Sequence, residues 1–175
     1  MFEDYLEDAN YFAVEAAQCT DEREAKRYYR ASVFCAVAAI EAFINHIGDT
    51  FAQGEIFQPY EIAFLTDRKF CVIGGRFHIR KGMEYHRLED KLRFLICRFI
   101  PKFDFNHNPV WSRFLQFKRF RDAIIHAREH EDEVEISEYE STLTTGLSSI
   151  IEIIDSLCQG IFKRPLRRRL LDLSL

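Results

Sequence analysis

Hydrophobic positions recur along this chain every three or four residues, the spacing that places them on one face of a helix. Residues 2–18 put Tyr5, Ala9, Phe12 and Ala16 on such a face. A longer helix is predicted to begin after Asp21, which with Glu24 forms an N-terminal cap, and to run to about Ile47. Val33, Val37, Ile40, Ile44 and Ile47 form its apolar stripe, Glu41 and Asn45 lie beside that stripe, and Gly48 marks its stop. Pro59 opens a short helix over E-I-A-F-L-T. Another spans Leu88 to Ile100, with Leu88, Leu92, Leu95, Ile96 and Phe99 inward and Pro101 beyond it. Ser137 with Glu140 is a capping box for the last helix, which reaches about Phe162 on a stripe that includes Leu143, Leu147, Ile150, Ile154 and Leu157.

One stretch breaks the helical period. K-F-C-V-I-G-G-R-F-H-I-R-K-G reads as two short strands around Gly74-Gly75, a two-residue hairpin turn covering residues 69–81. Lys69, Arg76, Arg80 and Lys81, with Phe70, Phe77 and His78, suit an acidic strand, and the hairpin also suits a lid or a dimer element. The plainer alternative is an edge hairpin kept soluble by its Lys and Arg. The pattern predicts an all-α fold, an up-and-down bundle of four to five helices with a small β-hairpin insertion. Residues 1–162 form a single helical domain in this reading. Residues 163–175 are a basic tail that either contacts RNA or carries no fixed structure.

Composition narrows the class. The chain has 175 residues, enough for one domain with a substantial core, and its 47% hydrophobic and 30% charged content is globular. A net charge of −4 excludes a general polyanion-binding surface, so nucleic-acid affinity must be local. Cys19, Cys35, Cys71, Cys97 and Cys158 form neither a C-x-x-C pair nor a Cys/His cluster, and read as small apolar residues in a reducing compartment. The acidic start M-F-E-D-Y-L-E-D is unlike a signal peptide, and Glu41 interrupts the longest apolar run. The expectation is a soluble cytoplasmic protein with no membrane partner, no cofactor and no metal.

Residues 108–130 are the most apolar helical stretch. Asn108 is a good N-cap, Pro109 fits the first helical position, and no later Gly or Pro interrupts the run. Val110, Phe114, Phe117, Ile124 and Ile125 share a face, with Trp111, Leu115, Phe120 and Ala127 flanking it. Arg121 falls in that stripe. A guanidinium cannot lose its charge, so burial requires acidic or hydrogen-bonding partners; Glu41 is either the natural candidate or simply a solvated edge residue, the safer reading. His126 lies on a neighbouring edge of the helix, and Asp122, one turn before it, can hold one ring nitrogen and fix the tautomer. A lone helical Arg is usually an ion-pair member, however, and a lone His near an apolar face is usually a satisfied core residue.

Arg121-Asp122-Ala123-Ile124-Ile125-His126 resembles the signature of the HEPN superfamily: an Arg, a polar residue, three more, then His. Many members of that superfamily are metal-independent ribonucleases of toxin–antitoxin, abortive-infection and CRISPR systems. Ala38-Ala39-Ile40-Glu41-Ala42-Phe43-Ile44-Asn45 resembles the early core helix of the same domains, and the likeness covers roughly residues 20–160 in helix order. It implies an endoribonuclease acting on single-stranded or looped RNA, with the 2′-OH as nucleophile. His126 would be acid or base, Arg121 would hold the charged phosphorane, and Asp122 would orient His126. One His cannot serve easily as both base and acid, so the resemblance implies a homodimer that brings two motifs to one cleft. It also implies an antitoxin protein as partner. One branch of the family carries a modified Tyr two residues after the motif His; here Arg128 stands there, which argues against that control and its nucleotidyltransferase antitoxin.

Two alternatives stand beside this reading. The domain could be a non-catalytic HEPN-like binding or assembly module, with Arg121 a structural ion pair. Asp122, His126 and His130 could also form a metal ladder at i, i+4 and i+8, although no fourth ligand is visible at metal spacing.

Overall fold

In a computed structural model, which describes residues 1–125 and 134–173, the chain is mainly helical with one small antiparallel hairpin. The described elements in chain order are α1 (Phe2–Gln18), α2 (Glu22–Thr50), α3 (Pro59–Leu65), β1 (Arg68–Ile73), β2 (Arg76–Met83), α4 (Leu88–Phe99), α5 (Pro109–Ile125), α6 (Ile136–Phe162) and α7 (Arg168–Leu171). They divide into two compact units. Met1–Ile40 with Lys102–Leu175 form the first, and Glu41–Pro101 the second.

In the first unit α5 lies along α6. Phe117, 1% exposed, rests on the α6 backbone at Gly146, where a Cβ would stand 2.1 Å from its ring. A side chain at position 146 would therefore hold the two helices apart. Ser149, fully buried in α6, returns its hydroxyl to the Gly146 carbonyl at 2.6 Å, so its burial leaves no unmet donor. Ser32 of α2 likewise donates to the Ala9 carbonyl of α1 at 2.6 Å. The predicted capping box of α6 is not made. Its N-cap is Glu135 without a side-chain cap bond, and Glu140 instead accepts the Tyr29 hydroxyl at 2.8 Å. Burial and that carboxylate raise the Tyr29 phenol well above its ordinary value.

The basic tail packs back onto α1. Leu166 is 4% exposed and Leu170 is fully buried, while Arg167 and Arg169 each reach the Glu3 carboxylate at 2.9 Å. Two apolar anchors thus hold the segment, and the surface ion pairs add little to them.

The second unit is built on aromatic side chains. Phe57, 4% exposed, has Phe51, Phe94 and Phe99 within 6.0 Å, and the Arg98 guanidinium lies 5.1 Å from its ring centre. Helix α2 does not stop at Gly48 but continues to Thr50, and a Cβ at Gly48 would come within 2.6 Å of the Thr66 methyl. Close approach to the end of α3, not a helix stop, requires that glycine. Helix α2 also contains an 18-residue window of mean hydropathy 1.5, long and apolar enough by composition to cross a membrane. That exceeds the reading of a run cut short by Glu41. Much of the window is packing surface, with Val33, Ala36, Ile40, Ile44 and Ile47 all fully buried.

The hairpin turns at Gly74 and Gly75 with φ of 54° and 75°, the pair of positive values that a two-residue turn of matching twist needs. Pairs Phe70↔Ile79 and Val72↔Phe77 share one face, and Cys71↔His78 and Ile73↔Arg76 share the other. The first face meets α3, where Tyr60 stacks on Phe77 at 4.1 Å. At the hairpin's base Asp67 adopts φ 55° and makes three contacts. Its carbonyl accepts Glu84 N–H at 2.9 Å, and its carboxylate accepts His86 N–H at 2.8 Å and the buried Lys91 Nζ at 2.6 Å. A polar cavity of about 350 Å³ opens beside this pair, lined among others by Asn45, Asp67, His86 and Lys91.

Candidate active site

Helix α5 starts as its sequence requires. The Asn108 side chain accepts the Trp111 N–H at 3.1 Å, and Pro109 is the first helical residue. Trp111, Phe114 and Phe117 follow at intervals of three and are almost wholly buried, with Phe105 edge-on to Trp111 at 5.1 Å. This aromatic seam sets the rotation of the helix. The seam lies nearer Trp111 than the predicted face, and Ile125, expected inward, is 43% exposed.

Continuing along α5, the seam passes into a polar cluster of Lys118, Arg121 and Asp122. The Asp122 carboxylate bridges both cations: Oδ1 accepts Arg121 at 3.0 Å and Oδ2 accepts Lys118 Nζ at 3.0 Å. Arg121 is 28% exposed, half-buried where full burial was expected, and Asp122 is 37% exposed. Partial burial pushes the Asp122 carboxyl up, but the hydrogen bonds and charges of Lys118 and Arg121 outweigh it and hold the group below its usual value. Two cations thus converge on one carboxylate.

Asp122, read from the sequence as the orienting group of His126, accepts one bond at each oxygen from its two cationic neighbours, which leaves a second lone pair on each. His126 itself lies outside the described residues, as do Arg128, His130 and most of the acidic run that follows. Glu41, the proposed partner of Arg121, belongs to the second unit. Lys118 was not singled out by sequence, although its i, i+4 spacing to Asp122 is the signal that would have found it. Among the described residues no three His, Cys, Asp or Glu side chains are grouped to hold a metal ion, and two of the three ladder residues lie beyond them.

Compared with protein-family models, curated proteins and solved structures, the chain matches none of them.

Proposed function

We propose that this chain is a metal-independent endoribonuclease of HEPN type, cutting single-stranded or looped RNA at a site shared by two copies. The observation that carries the reading is the Arg121–Asp122 pair, with Arg121 five residues before His126, at the end of an aromatic-anchored helix. Arg121 supplies a fork that suits phosphate oxygens, and a carboxylate steadies it against its own helix. His126 takes or gives the proton of the 2′-OH and the leaving oxygen, one role in each copy of a homodimer. The five longer helices, α1, α2, α4, α5 and α6, would form the up-and-down bundle of such domains, in the cytoplasm and with an antitoxin protein as a further partner.

A second reading has its own support. Arg121 already holds an ion pair within one chain, as expected of a binding or assembly module that does no chemistry. Purified chain incubated with unstructured RNA in EDTA separates the two. The enzyme reading expects products ending in 2′,3′-cyclic phosphate, resistance of RNA methylated at the 2′-oxygen of the cut site, and loss of cleavage in His126→Ala. Intact RNA, or equal cleavage by that variant, leaves the module reading.

A further inference from the structure

The hairpin carries more charge than its place in the fold requires. Between Arg68 and Met83 there are five basic side chains and no acid, so against −4 for the whole chain the remaining residues carry −9. Among the described residues Arg68, Lys69, Arg76, Arg80 and Lys81 form no ion pair, while Lys91 and Arg98 of the same unit each hold a carboxylate. These cations are therefore not spent on holding the unit together.

Their placement is ordered. The face that carries Phe70 and Phe77 meets α3 through the Tyr60 stack, and Phe77 there keeps 50% of its surface exposed. Strand alternation places Arg76, His78 and Arg80 on the opposite face, and all of β2 is exposed. Arg80 Nε lies 3.3 Å from Cys71 Sγ, which steadies its stem across the strands. The result is a row of cation, imidazole ring and cation, at a repeat of about 6.8 Å for two residues of strand. Ile73, 50% exposed, lies on the same face beside Arg76.

We propose that this face binds an extended single-stranded nucleic acid, with Arg76 and Arg80, about 13.6 Å apart along the strand, on alternate phosphates and His78 between them stacking on a base. An acidic protein would satisfy the cations but has no use for the ring between them. Pairing of two hairpins edge to edge would bring like charges together. The site goes beyond the cleavage reading and does not depend on it, because binding here needs neither Arg121 nor His126.

The test is fluorescence anisotropy of a labelled 2′-O-methyl oligouridylate with the full chain in EDTA. The probe lacks the nucleophile, so binding is read without chemistry. Affinity should fall with salt on a log–log slope of about −1.4, from two phosphates at about −0.7 each. Arg76→Glu with Arg80→Glu should weaken binding by about tenfold or more. Arg76→Lys with Arg80→Lys should stay within about threefold, since phosphate contacts need charge more than shape, and shows that the face tolerates substitution. His78→Ala should weaken binding without changing the salt slope. Absence of binding at low salt overturns the proposal, as does equal binding by the charge-reversed protein with its thermal melt unchanged. If the parent is a dimer that charge reversal splits, with no oligonucleotide affinity, the occupant is the acidic surface of a second copy and the proposal fails.

Discussion

Gly146→Ala tests the helix contact on which the candidate site is built. An added Cβ would stand 2.1, 2.3 and 2.8 Å from three atoms of the Phe117 ring. Carbon atoms in contact settle at about 3.5–4.0 Å, so ring or helix must move by more than an ångström. Phe117 is 1% exposed, so its ring is enclosed by the protein and not by solvent. Overpacking of this kind costs about 1–3 kcal/mol, and the severity here puts the cost at the upper end. Alanine returns about 1 kcal/mol through better helix propensity, leaving a net loss of about 2 kcal/mol. For a chain of this size that lowers Tm by roughly 4–8 °C. Phe117→Ala should cost about 3–5 kcal/mol by itself. In its background Gly146→Ala should become neutral or stabilising by about 1 kcal/mol, a coupling of about 3 kcal/mol. Urea denaturation of the four proteins measures the cycle. If Gly146→Ala stabilises the parent, or costs the same in both backgrounds, the described contact between α5 and α6 is wrong.

Three further outcomes follow from the same structure. Asp122 has a lowered pKa in the fold, so its contribution is present above the ordinary carboxylate value of about 3.9 and lost as pH falls through the folded value. Asp122→Asn should therefore be less stable than the parent at neutral pH and equal to it in acid; a gap of constant size across pH would refute the assignment. Leu170→Ala should free the tail from α1, seen as rapid tryptic cleavage at Arg167–Arg169 with little change in the global melt, whereas unchanged protection would show that the ion pairs to Glu3 suffice. Arg121→Ala and His126→Ala should each lower RNA cleavage about as much as the double variant does, since groups acting in one transition state are not additive, and additive losses would separate their roles.

Signals carried by the backbone itself were readable in advance. Asn108 and Asp21 cap their helices, Pro59 opens α3, and Gly74-Gly75 turns the hairpin, because each of these residues acts through bonds or angles within a few positions. Glycines that serve distant partners were not. Gly48 has the local appearance of a stop but is required by Thr66, and Gly146 gives no local sign of the Phe117 ring lying on it. Glu140 shows the same limit, since a capping box is a local preference and the Tyr29 hydroxyl offers its carboxylate a competing bond. At the candidate site, the bonds from Arg121 and Lys118 to Asp122 were not foreseen, since the spacing argument paired Asp122 with His126, and the rotation of α5 depended on a seam of rings that a count of apolar positions could not centre.

Asp67 also bears on how far the chain between it and Glu84 can vary. The backbone bond from Glu84 to Asp67 closes the two ends of the strand pair at one point, and the Asp67 carboxylate anchors that point to His86 and Lys91. Whatever lies between them is a closed loop hung from a fixed knot. Lengthening such a loop costs only the slow logarithm of its size, about 0.6 kcal/mol for each doubling. Beyond its contact with Tyr60 the hairpin can therefore be lengthened at little cost while the knot holds, and the surface it presents can change faster than the unit that carries it.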